Sequence, residues 1–264
     1  MFEDMGLTKM FSINEATLQE FLKDVEKGYD RKNYYHSNIH GADVTNSSMF
    51  LLQNGLLQRG AVSELEILSL IVGALCHDIG HPGFNNAFLV ASQDKLAIKY
   101  NDISVLENMH ASTTFRVLDR PASNIVSELV HDDWVIFRKL VLDLILATDL
   151  QKHFAIVTEF RELSQSEGGV KMNEDSHRLL AMKIAIKCAD IAHGAKRLEI
   201  HKKWTGLVTK EFFNQGDKEK KMGLTVSPLC DRETVVIADS QKGFLSYLVL
   251  PVFELWENFV SFEN

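Results

Sequence analysis

Apolar residues recur at spacings of three and four along most of this chain, and only four prolines interrupt the pattern (Pro82, Pro121, Pro228 and Pro251). This is the period of helices that bury one face, whereas the alternation typical of strands is scarce. We therefore expect an all-α protein. For 264 residues with 45% hydrophobic content, a single domain over 1–264 is the simplest organisation.

The same pattern places individual helices and loops. The first helix is capped by Ser12 or Asn14 and runs through Val25, because small polar side chains cap helix N-termini. The run that follows Ser63 is apolar on nearly every face, which predicts a central, buried helix. Loops are expected at 119–123, 164–173 and 216–232. The other helices are predicted at about 40–56, 63–78, 85–92, 104–118, 133–147, 151–163, 177–189, 198–215 and 235–262, the last with a break near Ser240.

Composition argues against several classes of function. The formal net charge of -8 and the pI of about 5.7 come without a basic stripe, so nucleic acid is not an expected partner. No stretch reaches the roughly 18 apolar residues of a membrane span, and the first ten residues lack a signal-peptide core. Three cysteines, Cys76, Cys188 and Cys230, are too few and too unevenly spaced for a disulfide framework. These features predict a soluble, cytoplasmic protein.

Two histidines and two aspartates, far apart in the sequence, could close around one metal ion: His40, His77, Asp78 and Asp190. Asp78 follows a helix too apolar to be exposed, and a buried carboxylate needs a cation. Asp190 ends another apolar helix, where its charge opposes the helix dipole unless a cation is bound. A buried Asp–His pair that caps the helix is the alternative for His77 and Asp78. Mixed imidazole and carboxylate ligands suit a hydrolytic zinc, manganese or iron centre.

Further polar residues surround these four in the sequence. His36 and His40 share one side of a helical turn, so one could bind metal while the other donates a proton. His81, Glu107, His110, Thr148 and Asp149 could orient ligands and metal-bound water. Surface or capping roles are the alternative for each of them taken singly.

Several blocks of this sequence resemble the class I 3',5'-cyclic nucleotide phosphodiesterases, within the HD metal-hydrolase superfamily. They include Tyr35-His36-Ser37-Asn38-Ile39-His40, His77-Asp78-Ile79-Gly80-His81-Pro82-Gly83 and Cys188-Ala189-Asp190-Ile191. The others are 100–108, 146–149, 211–219, 227–231 and 240–244. The resemblance covers about 34–259 and implies a compact multi-helix bundle, with 1–33 as the remnant of a shortened N-terminal subdomain and 34–264 holding a metal site and a purine pocket.

The resemblance also implies an enzyme that hydrolyses the 3'-phosphoester bond of cAMP or cGMP with two metal ions. His40, His77, Asp78 and Asp190 would bind Zn²⁺, and Asp78 would bridge to Mg²⁺ or Mn²⁺. His36 would be the general acid and Glu107 the acid that orients it and the waters. The remaining implied roles are contacts to metal-bound water and phosphate, by Tyr35, His81, Thr148 and Asp149, and contacts to the base, by Gln241, Phe244, Val208 and His193.

Departures from the family pattern qualify this reading. Ser37 and Met109 replace residues that are not proposed ligands, so activity should survive. His193 and the block 227–232 are similar to the calcium/calmodulin-regulated branch, which accepts both nucleotides, but no calmodulin-target helix precedes Tyr34. A shortened N-terminal side that exposes apolar surface would favour self-association. Two alternatives remain open: a catalytically impaired nucleotide-binding module, and another HD-type nucleotide phosphohydrolase.

Overall fold

The computed structural model describes residues 1–60 and 62–261, and every regular element among them is helical. The all-α prediction is therefore confirmed. The helices are α1 Leu7–Met10, α2 Glu15–Gly28, α3 Asn38–Leu51, α4 Leu57–Arg59, α5 Glu64–Cys76, α6 Asn86–Ala91, α7 Lys95–Lys99, α8 Val105–Leu118, α9 His131–Ala147, α10 His153–Gln165, α11 Asp175–Asp190, α12 Leu198–Met222, α13 Ile237–Phe244 and α14 Leu250–Ser261. None of the helices in this part of the chain is both long and apolar enough to cross a membrane.

Helix α5 lies at the centre of the bundle. Leu68, Leu70 and Val72 are fully buried, as expected from a run that is apolar on nearly every face. The helix begins in a capping box: the Ser63 hydroxyl accepts from the backbone N–H of Glu66, whose carboxylate accepts from the N–H of Ser63 at 2.8 Å. It packs against α3, α9 and α11, and α11 also packs against α3 and α9.

These four packed helices bring the predicted site residues to one end of the bundle. His40 lies in the first turn of α3, His77 and Asp78 directly follow α5, and Asp190 is the last residue of α11. Thr148 and Asp149 follow α9 in the same way. The C-termini of α5 and α11 thus meet at these residues with their negative dipole ends, which favours a cation there.

Helix ends account for most differences from the predicted elements. Asn14 caps α2 by accepting from the N–H of Thr17, whereas Ser12 has a left-handed backbone and no capping role. Helix α12 extends to Met222 instead of 215, because its lysine-rich last turn consists of good helix formers and ends at Gly223 in the left-handed conformation.

The predicted break near Ser240 is wrong. Helix α13 continues through this residue, whose hydroxyl donates to the carbonyl of Ile237 at 2.8 Å. The irregularity comes later, as a π-helical turn at Leu245–Val249. Pro251 follows it, and a proline that lacks its N–H distorts the preceding turn. Phe262, the predicted end of this helical region, lies outside the described residues.

The N-terminal 33 residues share the main core with the rest of the chain. Leu7 and Phe21 are fully buried, and Phe2, Ile13 and Val25 are nearly so. Helix α1 packs against α5, and α2 packs against α8. This segment is therefore an integral layer of the bundle.

Candidate active site

The four predicted metal ligands converge, although they come from three different parts of the chain. Nε2 of His40 lies 3.1 Å from Oδ1 of Asp190 and 3.4 Å from Oδ2 of Asp78. Nε2 of His77 lies 3.1 Å from Oδ2 of Asp78, 3.4 Å from Oδ1 of Asp190 and 3.3 Å from Nε2 of His40. Both histidines are almost completely buried.

This geometry fits a small divalent cation. A tetrahedron of ligands with bonds of about 2.0–2.1 Å has edges of ~3.3 Å, and the five distances above are 3.1–3.4 Å. The Nδ1–H of His77 donates to the carbonyl of Ala74 at 2.9 Å, so its Nε2 presents a lone pair to the other three atoms. Four mutually facing acceptors in a buried site require a cation between them.

The electrostatics of the group agree with this. Burial alone would raise the pKa of Asp78, but the neighbouring His77 and His36 hold it well below its usual range. Burial likewise opposes ionisation of Asp190, but hydrogen bonds from His40 and His77 lower its pKa. Burial would lower the pKa of His77, and the Asp78 carboxylate raises it well above its usual value. The two carboxylates are therefore ionised, and the proton that they favour on His77 is the one that a bound cation would replace, because a metal-ligating imidazole is neutral.

His36 lies beside this group but is held by an acid that the sequence reasoning did not single out. Its Nδ1 contacts Oε1 of Glu211, and Oε2 of Glu211 accepts from the backbone N–H groups of Tyr35 and His36 at 2.9 and 3.2 Å. Burial would lower the pKa of His36, but Glu211 raises it to about 9. In turn, burial would raise the pKa of Glu211, and His36 lowers it to about 2. His36 is therefore a cation at neutral pH.

The prediction that Glu107 orients His36 is wrong, because Glu211 occupies that place. Glu107 instead accepts from the side-chain amide of Asn86 at 3.0 and 3.3 Å. Burial and the nearby Asp149 raise the pKa of Glu107 to about 7. Glu107 lines the same cavity as His36, so its predicted contact with metal-bound water stays a prediction.

His81 is sandwiched between two other imidazole rings. Its ring stacks on His36 with centroids 3.9 Å apart and an interplanar angle of 13°, and on His110 at 5.7 Å and 13°. Lone pairs of nitrogen lie in the ring plane, so those of the parallel His36 and His81 rings do not converge on one ion. Although these two rings and Glu211 lie close together, we assign the metal to the first group. Nδ1 of His81 accepts from the N–H of Gly83 at 2.9 Å, which leaves Nε2–H as a donor.

The other predicted polar residues line the same cavity, which has a volume of about 1120 Å³. Thr148 donates to the carbonyl of Ile145, and Asp149 accepts from the hydroxyl of Ser104 at 2.7 Å and from the N–H of Gln151. Tyr35 packs its ring against His40 at 4.5 Å. Its contact is thus with a candidate ligand of the metal.

The predicted base-binding residues come from α12, α13 and the turn that follows α11. Gln241, Phe244, Val208 and His193 all line it. The rings of His193 and Phe244 are parallel, 5.1 Å apart with an 8° interplanar angle. Oε1 of Gln241 accepts from the hydroxyl of Thr205 at 3.0 Å. The sequence did not predict a role for Thr205 in this cavity. Its position one helical turn before Val208, a predicted base-binding residue, is the one feature of the sequence that could have indicated it.

Comparison with known proteins is consistent with this site. The profile of the family described as 3'5'-cyclic nucleotide phosphodiesterase matches residues 35–263. The probable 3',5'-cyclic phosphodiesterase pde-1 of Caenorhabditis elegans is 40% identical over 95% of this chain and 37% of its own length. Isoform F of the 3',5'-cyclic-AMP phosphodiesterase of Drosophila melanogaster is 34% identical over 98% of this chain and 40% of its own length.

A solved structure shows the same fold. The phosphodiesterase domain of the RhoPDE fusion protein from the choanoflagellate Salpingoeca rosetta superposes with a TM-score of 0.93 at 29% identity, over 98% of this chain and 81% of that one. The chain spans about two fifths of the length of these two curated relatives.

Proposed function

Since the chain belongs to the 3'5'-cyclic nucleotide phosphodiesterase family, we propose that it hydrolyses the 3'-phosphoester bond of cAMP, cGMP or both, and releases the nucleoside 5'-monophosphate. The observation that carries the proposal is one cavity with three parts. It joins a four-ligand cation site, a protonated histidine beside that site, and an amide together with apolar side chains. The cation site would bind the cyclic phosphate, the histidine would protonate the leaving alkoxide, and the amide with the apolar groups would bind the base.

For the metals, we propose Zn²⁺ at His40, His77, Asp78 and Asp190, and Mg²⁺ or Mn²⁺ at a second position next to Asp78. Oδ2 of Asp78 faces the first group, while its Oδ1 lies on the side of His110, 3.6 Å from Nε2. One carboxylate could therefore serve both ions. When bound, the ions would lower the pKa of water and offset the negative charge of the phosphorane-like transition state.

The protonated His36 would supply the proton that the departing O3' needs. Because Nδ1 is engaged by Glu211, the proton available for transfer is the one on Nε2. Glu211 keeps the ring charged and fixes its orientation through the same carboxylate that holds the backbone of Tyr35 and His36. His81, with its Nε2–H free to donate, would hydrogen-bond water or phosphate oxygens nearby.

A second group of residues in the same cavity supports recognition of a purine. Phe244, Val208 and Gln241 all line the cavity. Phe244 and Val208 would offer apolar surface to the two faces of a flat base, and Gln241 would offer an amide to its edge. A hydroxyl either donates or accepts, so Thr205 can hold the Gln241 amide in either orientation. Both adenine and guanine edges could then be satisfied, in line with the resemblance of His193 and the block 227–232 to the calcium/calmodulin-regulated branch of the phosphodiesterases.

The surroundings of the enzyme are also proposals. A cytoplasmic location, with cyclic nucleotides and not nucleic acid as partners, is supported by the net charge of -8 and by three buried, unpaired cysteines. Self-association through the N-terminal side is supported by exposed apolar side chains on α2 and α3, namely Leu22, Ile39 and Phe50.

The test is turnover of cAMP and cGMP by the purified protein with Mg²⁺, together with the variant His36→Ala. We expect hydrolysis of at least one nucleotide and a large loss of kcat in the variant. His131→Ala, at an exposed histidine that begins α9, is the matched control and should retain activity. Binding without turnover would favour an impaired nucleotide-binding module. Activity on dNTPs or nucleoside monophosphates, with cyclic nucleotides inert, would favour another HD-type phosphohydrolase.

A further inference from the structure

The buried face of α12 carries polar residues where a packed helix ordinarily carries apolar ones. Gln215 and Glu219, one helical turn apart, are each only 2% exposed, and Gly216 is buried beside them. Glu and Gln are rarely buried so completely unless their polar atoms have partners. The partners therefore show what this face of the helix holds.

Glu219 holds the segment that follows the helix, residues 224–236. Its Oε2 accepts from the backbone N–H of Ser227 at 2.7 Å. Its Oε1 accepts from the hydroxyl of Ser227 at 2.6 Å and from Nε2 of Gln215 at 2.9 Å. Both carboxylate oxygens are thus occupied by donors, and hydrogen bonds to an ionised acceptor are the strong ones.

Gly216 allows the same segment to lie directly on the helix. A Cβ at this position would be 1.9 Å from the carbonyl oxygen of Cys230 and 2.7 Å from its carbonyl carbon. Only glycine permits so close an approach of two backbones. The segment then supplies Leu229 and Val236 to the wall of the cavity, together with Thr234 and Val235.

A second path leads from Glu219 to the metal side of the cavity. Gln215 donates to Glu219, and its own Oε1 accepts from the backbone N–H of Asn85 at 2.9 Å. The next residue, Asn86, donates its side-chain amide to Glu107 and accepts from the N–H of Leu106 at 2.9 Å. Hydrogen bonds through Gln215, and the peptide bond between Asn85 and Asn86, therefore connect Glu219 near the end of α12 to Glu107 in the active-site cavity.

We propose that Glu219 is a positioning residue for the hydrolysis described above, and the inference rests on that proposed function. Its carboxylate fixes the cavity wall at 224–236 and, through Gln215 and the turn at Asn85 and Asn86, the place of Glu107. The arrangement needs two acceptor oxygens on residue 219. A glutamine at this position has one acceptor oxygen and one NH₂ group. In one orientation the NH₂ group would face the backbone N–H of Ser227, and in the other it would face Nε2 of Gln215. Rotating the Gln215 amide would remove this second donor–donor contact, but it would point the NH₂ group of Gln215 at the backbone N–H of Asn85.

The test compares Glu219→Gln with Glu199→Gln, the same chemical change at an exposed position in the first turn of α12. Kinetics with cAMP and cGMP, Mg²⁺ titrations, zinc content and thermal unfolding are measured for both variants. In Glu219→Gln we expect KM and the Mg²⁺ concentration for half-maximal activity each to rise about fivefold, the equilibrium equivalent of one net hydrogen bond. Zinc content should stay the same, because none of the four metal ligands is touched.

Amide hydrogen exchange gives a readout that does not depend on turnover. Residues 224–236 and the turn at 85–88 should lose protection in Glu219→Gln and keep it in Glu199→Gln. Lower thermal stability with unchanged KM, Mg²⁺ dependence and exchange would overturn the inference, since a merely structural role predicts that pattern. A wild-type protein without turnover would refute the proposed function instead, and unchanged exchange at 85–88 would then still overturn the positioning role.

Discussion

Replacing Glu211 by glutamine should move the alkaline limb of the pH–rate profile toward neutral pH. In the proposed mechanism His36 acts in its protonated form, so activity should be present below its pKa and should be lost as the pH rises through it. Next to Glu211 that pKa is about 9, against an ordinary value of 6.5. Without the carboxylate it should fall to 6.5 or below, because burial lowers it. Asp78 and Asp190 also raise it, but bound cations would offset their charge.

The size of the effect follows from these values. At pH 7.5 an imidazole with a pKa of 9 is ~97% protonated, and one with a pKa of 6.5 is ~9% protonated. The kcat of Glu211→Gln at this pH should therefore be about tenfold lower than that of the wild type, and the difference should shrink below pH 6.5. The amide oxygen can still accept from the N–H groups of Tyr35 and His36, so the backbone there should hold.

The assay is kcat against pH from 6 to 10 at saturating cyclic nucleotide, with zinc content measured for each protein. Glu107→Gln is the control, because Glu107 bonds to Asn86 and not to His36. It should leave the alkaline limb in place, whatever it does to the maximal rate. An alkaline limb that stays where it is in Glu211→Gln, or moves in Glu107→Gln, would refute this account of the general acid.

Three further predictions concern the metal site, the residues that contact the base, and the segment 224–236 that packs on α12. Asp190→Ala should lose bound zinc and most activity, because one ligand of four is removed; elemental analysis with one zinc per chain retained would contradict its assignment. Gln241→Ala should raise KM about five- to tenfold for the preferred nucleotide with little change in kcat, since the edge of the base loses its partner. Steady-state kinetics with an unchanged KM would contradict a contact between Gln241 and the base. Gly216→Ala should lower the free energy of unfolding by about 1–3 kcal/mol, because the new Cβ would clash with the backbone of Cys230. The control is Gly206→Ala on the same helix, where a Cβ would have no atom within 4 Å. It should leave the free energy of unfolding unchanged or raise it, and denaturant unfolding measures both variants.

Much of the fold could be predicted because helical periodicity and capping are local properties. Asn14 and Ser63 cap helices where small polar residues precede an apolar pattern, and α5 is as buried as its composition indicates. The errors lie where a local pattern is ambiguous. Ser240 reads as a breaker, yet its hydroxyl bonds within its own helical turn. The distortion instead precedes Pro251 and is spread over five residues.

The convergence of the four candidate metal ligands could be predicted for a different reason. His77, Asp78 and Asp190 are polar residues at the ends of apolar helices, so the sequence itself shows a cost that a cation would remove. His40 lies in the first turn of α3 and is indicated instead by its spacing of four from His36 and by the family resemblance. The partner of His36 gave no such signal. Glu211 is 175 residues away from His36, and a single acid in an amphipathic helix is ordinarily exposed. His36, Glu107 and Glu211 all lie in blocks that carry the family resemblance, and membership of such a block does not determine which acid meets which base.

The spacing of polar residues on α12 does carry information in retrospect. Glu211, Gln215 and Glu219 recur every four residues, so they share one face, and all three are buried. Each end of this stripe binds a different part of the site: Glu211 meets His36, and Glu219 meets the segment that walls the cavity. A stripe of Glu and Gln at this spacing, with a glycine beside it, is costly to bury unless every oxygen is used. Such a stripe in a long helix therefore indicates polar groups brought from elsewhere in the chain, and it could direct the search for the partners of a catalytic histidine.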